Sequence, residues 1–136
     1  TTKGLPAQGD IDRSSERMVP VPGVERDVWV STTKDIQRST DWGRTFSPLG
    51  TVEESLGLGF GKGPPNGSYP SAFLVGKVKG VYGFFRSDDA GATWVRINDD
   101  SHQYGWVSNI TGDPRVHGRV YVGSGGRGIL YGDPSK

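Results

Sequence analysis

Apolar residues come in short runs along this chain, each closed by glycine, proline or small polar residues, and the runs recur in a fixed order. Val28-Trp29-Val30, Phe73-Leu74-Val75 and Val120-Tyr121-Val122 are each followed by a Gly/Lys/Thr turn and a second run. The second runs are Ile36-Gln37-Arg38, Tyr82-Gly83-Phe84-Phe85 and Ile129-Leu130-Tyr131. A further strand-like segment precedes each pair, at residues 18–21, 56–60 and 107–111. Alternation of period two, clearest at residues 28–30 and 119–122, predicts strands with one face buried. Three copies of a three-strand meander A, B, C follow from the pattern.

A second signal sits just beyond strand C. Ser39-Thr40-Asp41-Trp42-Gly43-Arg44-Thr45-Phe46 returns as Ser87-Asp88-Asp89-Ala90-Gly91-Ala92-Thr93-Trp94, both reading S-x-D-x-G-x-T-aromatic, with Asp89 48 positions after Asp41. That spacing is the length of one four-stranded propeller blade. The motif is an Asp box, a hairpin turn into a fourth strand D expected at residues 45–49 and 93–97. Its Asp and Thr satisfy turn N–H groups, its Gly takes a positive φ, and its aromatic packs beneath. Ser39, Asp41, Gly43, Thr45 and Phe46, with Ser87, Asp89, Gly91, Thr93 and Trp94, are therefore structural candidates. Asp88 and Asp89 point to opposite faces and make no catalytic pair.

The predicted fold is all-β, a partial β-propeller of two four-stranded blades plus three strands of a third, whose turn Tyr131-Gly132-Asp133-Pro134 is degenerate. Residues 1–17 lead into a first blade over 18–50, with its Asp box at 39–46. A second blade spans 51–98 with its box at 87–94, and 99–136 form the incomplete third. A propeller closes with at least about four blades. The chain is thus expected to be part of a larger ring or to assemble one from copies, with inter-blade faces around Trp29, Phe73 and Tyr121 in need of neighbours.

Composition narrows the chemistry. Among 136 residues, 22 are glycine and 9 proline, which leaves no stretch of helical length. Sixteen basic and fifteen acidic residues are mixed along the chain, so neither nucleic acid nor a membrane surface is an expected partner. No run of about 18 apolar residues occurs. The absence of cysteine removes disulfides and thiolate chemistry, and two histidines without a ligating spacing make a metal or other cofactor unexpected. Two sequons occur, Asn66-Gly67-Ser68 and Asn109-Ile110-Thr111, of which Asn66, in a Pro/Gly-rich loop, is the better glycosylation candidate.

The run 86–100, Arg-Ser-Asp-Asp-Ala-Gly-Ala-Thr-Trp-Val-Arg-Ile-Asn-Asp-Asp, continues through His102-Gln103-Tyr104-Gly105, Ile110-Thr111-Gly112-Asp113-Pro114-Arg115 and Gly118-Arg119-Val120-Tyr121. With Gly126-Arg127-Gly128-Ile129 and Tyr131-Gly132-Asp133-Pro134-Ser135, it resembles the end of the catalytic module of glycoside hydrolase family 74. Val21-Pro22-Gly23, Asp27-Val28-Trp29 and Val52-Glu53-Glu54 extend the resemblance upstream, so that it covers the chain from about residue 20. The resemblance implies a secreted parent enzyme built from two seven-bladed propellers facing each other across a cleft, acting on xyloglucan as an endo-xyloglucanase or a reducing-end-specific cellobiohydrolase. It implies inversion at the anomeric carbon by one Asp acid and one Asp base. Neither surrounding motif is present here, so no catalytic residue is assigned and the isolated chain is expected to lack hydrolase activity.

Glu53, Glu54, Asp99 and Asp100 fall in loops joining strand D of one blade to strand A of the next and are expected to be solvated acids and turn caps. Sugars offer apolar faces edged with hydroxyls, which suit aromatics beside amide and guanidinium donors. His102, Gln103, Tyr104 and Trp106 cluster in one such loop, and Arg127 sits in the B–C turn at the same end. These five are the substrate-binding candidates, with packing between blades the competing expectation for Tyr104 and Trp106. The expected function is scaffold and substrate contact within an inverting endo-β-1,4-glucanase acting on xyloglucan or a related β-glucan. The alternative is a non-catalytic carbohydrate- or protein-binding Asp-box module that self-assembles. A sialidase is disfavoured because no arginine cluster for a carboxylate can be assigned.

Overall fold

The computed structural model describes Lys3, Gly4 and residues 17–135. Eleven strands and no helix occur among these residues. β1 (Arg17–Pro20), β2 (Val28–Ser31), β3 (Ile36–Ser39) and β4 (Ser47–Pro48) form one antiparallel sheet in chain order. A second four-stranded sheet contains β5 (Val52–Gly61), β6 (Ser71–Val78), β7 (Val81–Ser87) and β8 (Val95–Arg96). The third consists of β9 (Val107–Gly112), β10 (Val120–Ser124) and β11 (Gly128–Gly132). This is the meander expected of propeller blades, repeated three times.

The expected D strands are cut to two residues each. In both Asp boxes the Thr N–H bonds to the Asp carboxylate at 2.8–2.9 Å, so the ladder begins only after the turn is complete. Pro48 then ends β4, having no N–H to give. The short outer strands still hold register, Arg38 opposite Ser47 and Arg86 opposite Val95.

Two buried clusters lie between the sheets. Trp29, Ile36, Leu58, Phe60, Leu74 and Phe85 fill the first, and Phe73, Phe84, Val107, Ile110, Val120 and Val122 fill the second. Trp29 and Phe73, expected on unpartnered inter-blade faces, are fully buried in these two clusters. Each lies on a middle strand, whose inter-sheet face is covered by a neighbouring blade on this same chain. Tyr121 is half-buried, its hydroxyl donating to Asp113 at 2.7 Å.

Glycine sets how closely the second and third sheets meet. A Cβ at Gly61 would stand 2.6 Å from Gly112 Cα, and one at Gly59 would stand 2.3 Å from the Ile110 carbonyl oxygen. Gly59 and Gly61 along β5 thus reflect backbone contact with β9 as well as alternation.

The meander also sorts the loops. Connections A–B and C–D emerge at one end of each sheet, B–C and D–A at the other. The Asp boxes therefore lie at the end opposite the loop 97–106 and the turn 124–127.

Candidate functional site

The two Asp boxes are self-contained. Asp41 accepts N–H bonds from Arg44 and Thr45 at 3.0 and 2.9 Å and hydroxyl bonds from Ser39 and Thr45 at 2.8 and 2.6 Å. Asp89 repeats three of the four, with Thr93 N–H and Ser87 Oγ, both at 2.8 Å, and Thr93 Oγ1 at 2.5 Å, while the Ala92 N–H goes to the Asp89 main-chain carbonyl. Ser39 and Ser87 accept the N–H of Gly43 and Gly91 at 2.9 Å. The Thr45 hydroxyl, above all, holds Asp41 down at about 2. Burial pushes Asp89 up, but bonds from Thr93 and Ser87 outweigh it and leave the carboxyl below its ordinary value. Phe46 is buried, its ring about 3.7 Å from where a Gly43 side chain would begin, and Trp94 packs edge-on against Trp29 at 6.5 Å. One feature was not legible in the motif: Trp42 and Ala90, just before the glycines, also take positive φ (64° and 57°).

Asp88 bonds elsewhere, pairing with Arg86 at 3.2 Å and with His117 of the third blade at 3.3 Å. A buried network unannounced by any motif ties the first two blades. Arg38 donates from both Nε and Nη2 to Asp27, and Tyr69 donates its hydroxyl to the same carboxylate at 2.7 Å while accepting from Trp29 Nε1 at 3.0 Å. Its partners are up to 42 residues apart, beyond the reach of local pattern.

Glu53 and Glu54, expected in a loop, lie at the start of β5, because the strand begins at Val52 and pairs there with Val78; only Asp99 and Asp100 are loop residues, and each of the four acids has a private partner. Glu53 accepts the Gly80 N–H at 2.9 Å and pairs with Lys77 at 3.5 Å; Glu54 accepts from the Tyr82 hydroxyl. Asp100 pairs with Arg96 at 2.7 Å. Asp99 accepts the Ser101 N–H at 2.9 Å and bonds His102 Nδ1 at 2.6 Å, and that bond is the main cause holding its carboxyl below the ordinary value.

These bonds build the loop 97–106. Asn98 anchors it, its side-chain oxygen accepting the Phe84 N–H at 2.8 Å and its amide donating to the His102 carbonyl at 3.0 Å. Tyr104 then stacks on Phe84, centroids 6.2 Å apart and planes 13° from parallel, with the His102 ring 5.9 Å away. Tyr104 and Gly105 both have positive φ, 55° and 70°, which turns the chain sharply before Trp106. A bulky residue in this region is strained and persists only where its surroundings hold it. Trp106 is 66% exposed, and its carbonyl accepts the Gly125 N–H at 3.0 Å. The Arg127 N–H donates to Ser124 Oγ at 2.9 Å, fixing the facing turn.

The result is an open cleft of about 750 Å³ lined by residues 100–106 and 125–127. His102, Gln103, Tyr104, Trp106 and Arg127 all lie on it. Sequence reasoning did not identify Gly125 and Gly126, which form the side of the cleft beside Trp106. Packing between blades was the competing expectation for Tyr104; its partner, Phe84, could not be named from a pairing across 20 residues. Asn66 lies exposed in the turn closed by Gly67 N–H on Pro64 O at 2.9 Å, whereas Asn109 lies within β9 and bonds Arg17. Among the described residues no group of three His, Asp or Glu side chains gathers as metal ligands do, and no helix is long and apolar enough to cross a membrane.

No protein-family model matches the chain. A Paenibacillus sp. protein named xyloglucanase is 48% identical over 137 residues, covering 96% of this chain and 13% of that protein. A xyloglucanase of Acetivibrio thermocellus is 50% identical over 127 residues, covering 92% of this chain and 15% of its own length. The crystal structure of a GH74 enzyme from Niastella koreensis superposes with a TM-score of 0.79 at 37% identity, over 85% of this chain and 17% of that one. The chain thus spans about one-seventh of the curated relatives it matches.

Proposed function

Because this chain is homologous over most of its length to a segment of family 74 glycoside hydrolases, the xyloglucanases, we propose that it is part of the propeller of such an enzyme. Its role there is to supply rigid blades and one stretch of the surface that holds xyloglucan. The observation that carries this is the convergence of an exposed Trp106 with His102, Gln103, Tyr104 and Arg127 on one open cleft. An indole can stack on the apolar face of a sugar ring, and the amide and guanidinium can donate to hydroxyls at its edge. Glu53, Glu54, Asp99 and Asp100 are engaged in separate bonds, which supports a binding role and not an acid–base pair across a glycosidic bond. Cleavage belongs to residues elsewhere in the parent.

The parent acts outside the cell, where its polymeric substrate lies. The exposed Asn66 turn carries a glycan if the protein passes through a glycosylating secretory pathway. Ile129 and Tyr131, 81% and 69% exposed on β11, meet the remaining blades of the parent propeller or, in the isolated chain, a further copy.

Isothermal titration with xyloglucan oligosaccharides tests the assignment. The chain binds without releasing reducing ends, and Trp106→Ala weakens binding by about 1–3 kcal/mol while leaving the melting temperature unchanged. Equal affinity of Trp106→Ala and the native chain would remove the cleft from the function.

A further inference from the structure

We infer that Gly126 is a specificity-determining residue: its missing side chain leaves the space in which a flat, neutral pyranose ring lies against the indole of Trp106. The inference rests on the assignment of the cleft to a sugar ligand and says which residue admits it.

The local backbone separates Gly126 from its neighbours. Gly105 and Gly128 have φ of 70° and 73°, so the chain conformation itself calls for glycine at both. Gly126 lies outside that positive-φ region, and a Cβ built on it meets nothing within 4 Å. Neither torsional strain nor packing against the described residues therefore accounts for a glycine there. The open space beside it is the cleft, since Gly126 lies on its wall together with Trp106 and Arg127. The preceding residue fixes how near that wall is to the ring: a Cβ at Gly125 would stand 4.0 Å from Trp106 Cδ1 and 3.5 Å from the Trp106 carbonyl oxygen. A side chain at 126 would then compete with any ring stacked on the indole.

Charge around the cleft favours a neutral ligand. In and beside the cleft two arginines, Arg96 and Arg127, stand against two aspartates, Asp99 and Asp100, with Asp100 paired to Arg96 and Asp99 bonded to His102. No excess of positive charge is left to select a carboxylate or phosphate. An aromatic face next to a side-chain-free wall suits a sugar ring with equatorial substituents, which presents a flat apolar face.

Gly126→Leu and Gly126→Ala in the full chain test this by titration with a xyloglucan oligosaccharide, beside Trp106→Ala and with melting curves for each. Gly126→Leu is expected to weaken binding about tenfold or more, the scale of one lost stacking contact, with melting unchanged, and Gly126→Ala by less. Native affinity in Gly126→Leu together with lost affinity in Trp106→Ala would overturn the inference and leave the cleft assignment standing. Native affinity in both, or no binding by the unaltered chain, would overturn the assignment and the inference with it. If leucine lowers the melting temperature, Gly126→Ala decides, because its single methyl touches nothing: weaker binding supports the inference and native binding overturns it.

Discussion

Asp41 and Asp89 are the most conspicuous carboxylates in the sequence, and their bonding shows why prominence and catalysis are different things. Both carboxylate oxygens of each accept bonds from within its own turn. Asp89→Ala is expected to cost about 1–2 kcal/mol, seen as a lower melting temperature, with sugar affinity untouched. Lost affinity at an unchanged melting temperature would reverse that assignment. The turn also makes stability acid-sensitive in a defined window. Asp41 has an ordinary carboxyl value of 3.8 and is held at about 2 in the folded chain, so the unfolded chain binds protons first as the pH falls. Its stabilising contribution is present above about pH 4 and is lost between pH 4 and 2. Asp41→Asn should flatten the fall of melting temperature over that interval, and an unchanged slope would show the turn does not govern it. Tyr104 shows the opposite case, a residue whose type suggested a contact and whose stack on Phe84 gives it a packing role as well. The residues of the Asp box were legible because their bonds span at most four positions; the stacking partner of Tyr104 was not, because it lies on β7, 20 residues back.

Among the elements, the strands A, B and C formed where expected because alternation and turn chemistry are local, with β5 and β6 running beyond the expected 56–60 and 73–75. The D strands shrank because the Asp box takes the first N–H groups for itself. The glycines of β5 have a further meaning that only the neighbouring sheet reveals. Gly61→Ala would drive a methyl to within 2.6 Å of Gly112 Cα, which is backbone and cannot rotate away. Blades two and three must then separate along β5 and β9, at a cost of about 1–3 kcal/mol. Gly50→Ala, where a Cβ meets nothing within 4 Å, serves as the control and should melt as the native chain does. Equal melting of the two variants would mean that the sheets are not held at that distance.

On the scale of the whole molecule, the two buried clusters make the three sheets one packed body, and the large exposed apolar side chains include Ile129 and Tyr131 on β11. Whatever the parent provides there, the isolated chain exposes an edge strand with apolar residues, an arrangement that favours association. Sedimentation equilibrium is expected to show species heavier than 14.6 kDa, with Ile129→Lys and Tyr131→Lys together returning the monomer. A stable monomer of the unaltered chain would show that this face needs no cover.

The sequence by itself determined the strand meander, the two Asp-box turns, the kinship with family 74 and the loop in which the proposed binding residues gather. All of these rest on contacts within a turn or on repetition of a motif, which are visible in linear order. Only the tertiary structure decided that Gly125 and Gly126 form part of the cleft wall, with the Gly125 N–H on the Trp106 carbonyl, and that Asp27, Arg38, Tyr69 and Trp29 share one buried network. It also decided that Trp29 and Phe73 are interior. These outcomes depend on which faces of distant strands meet and how closely, and that is set by glycine contacts and core volume between sheets, quantities that have no signature in the order of residues along the chain.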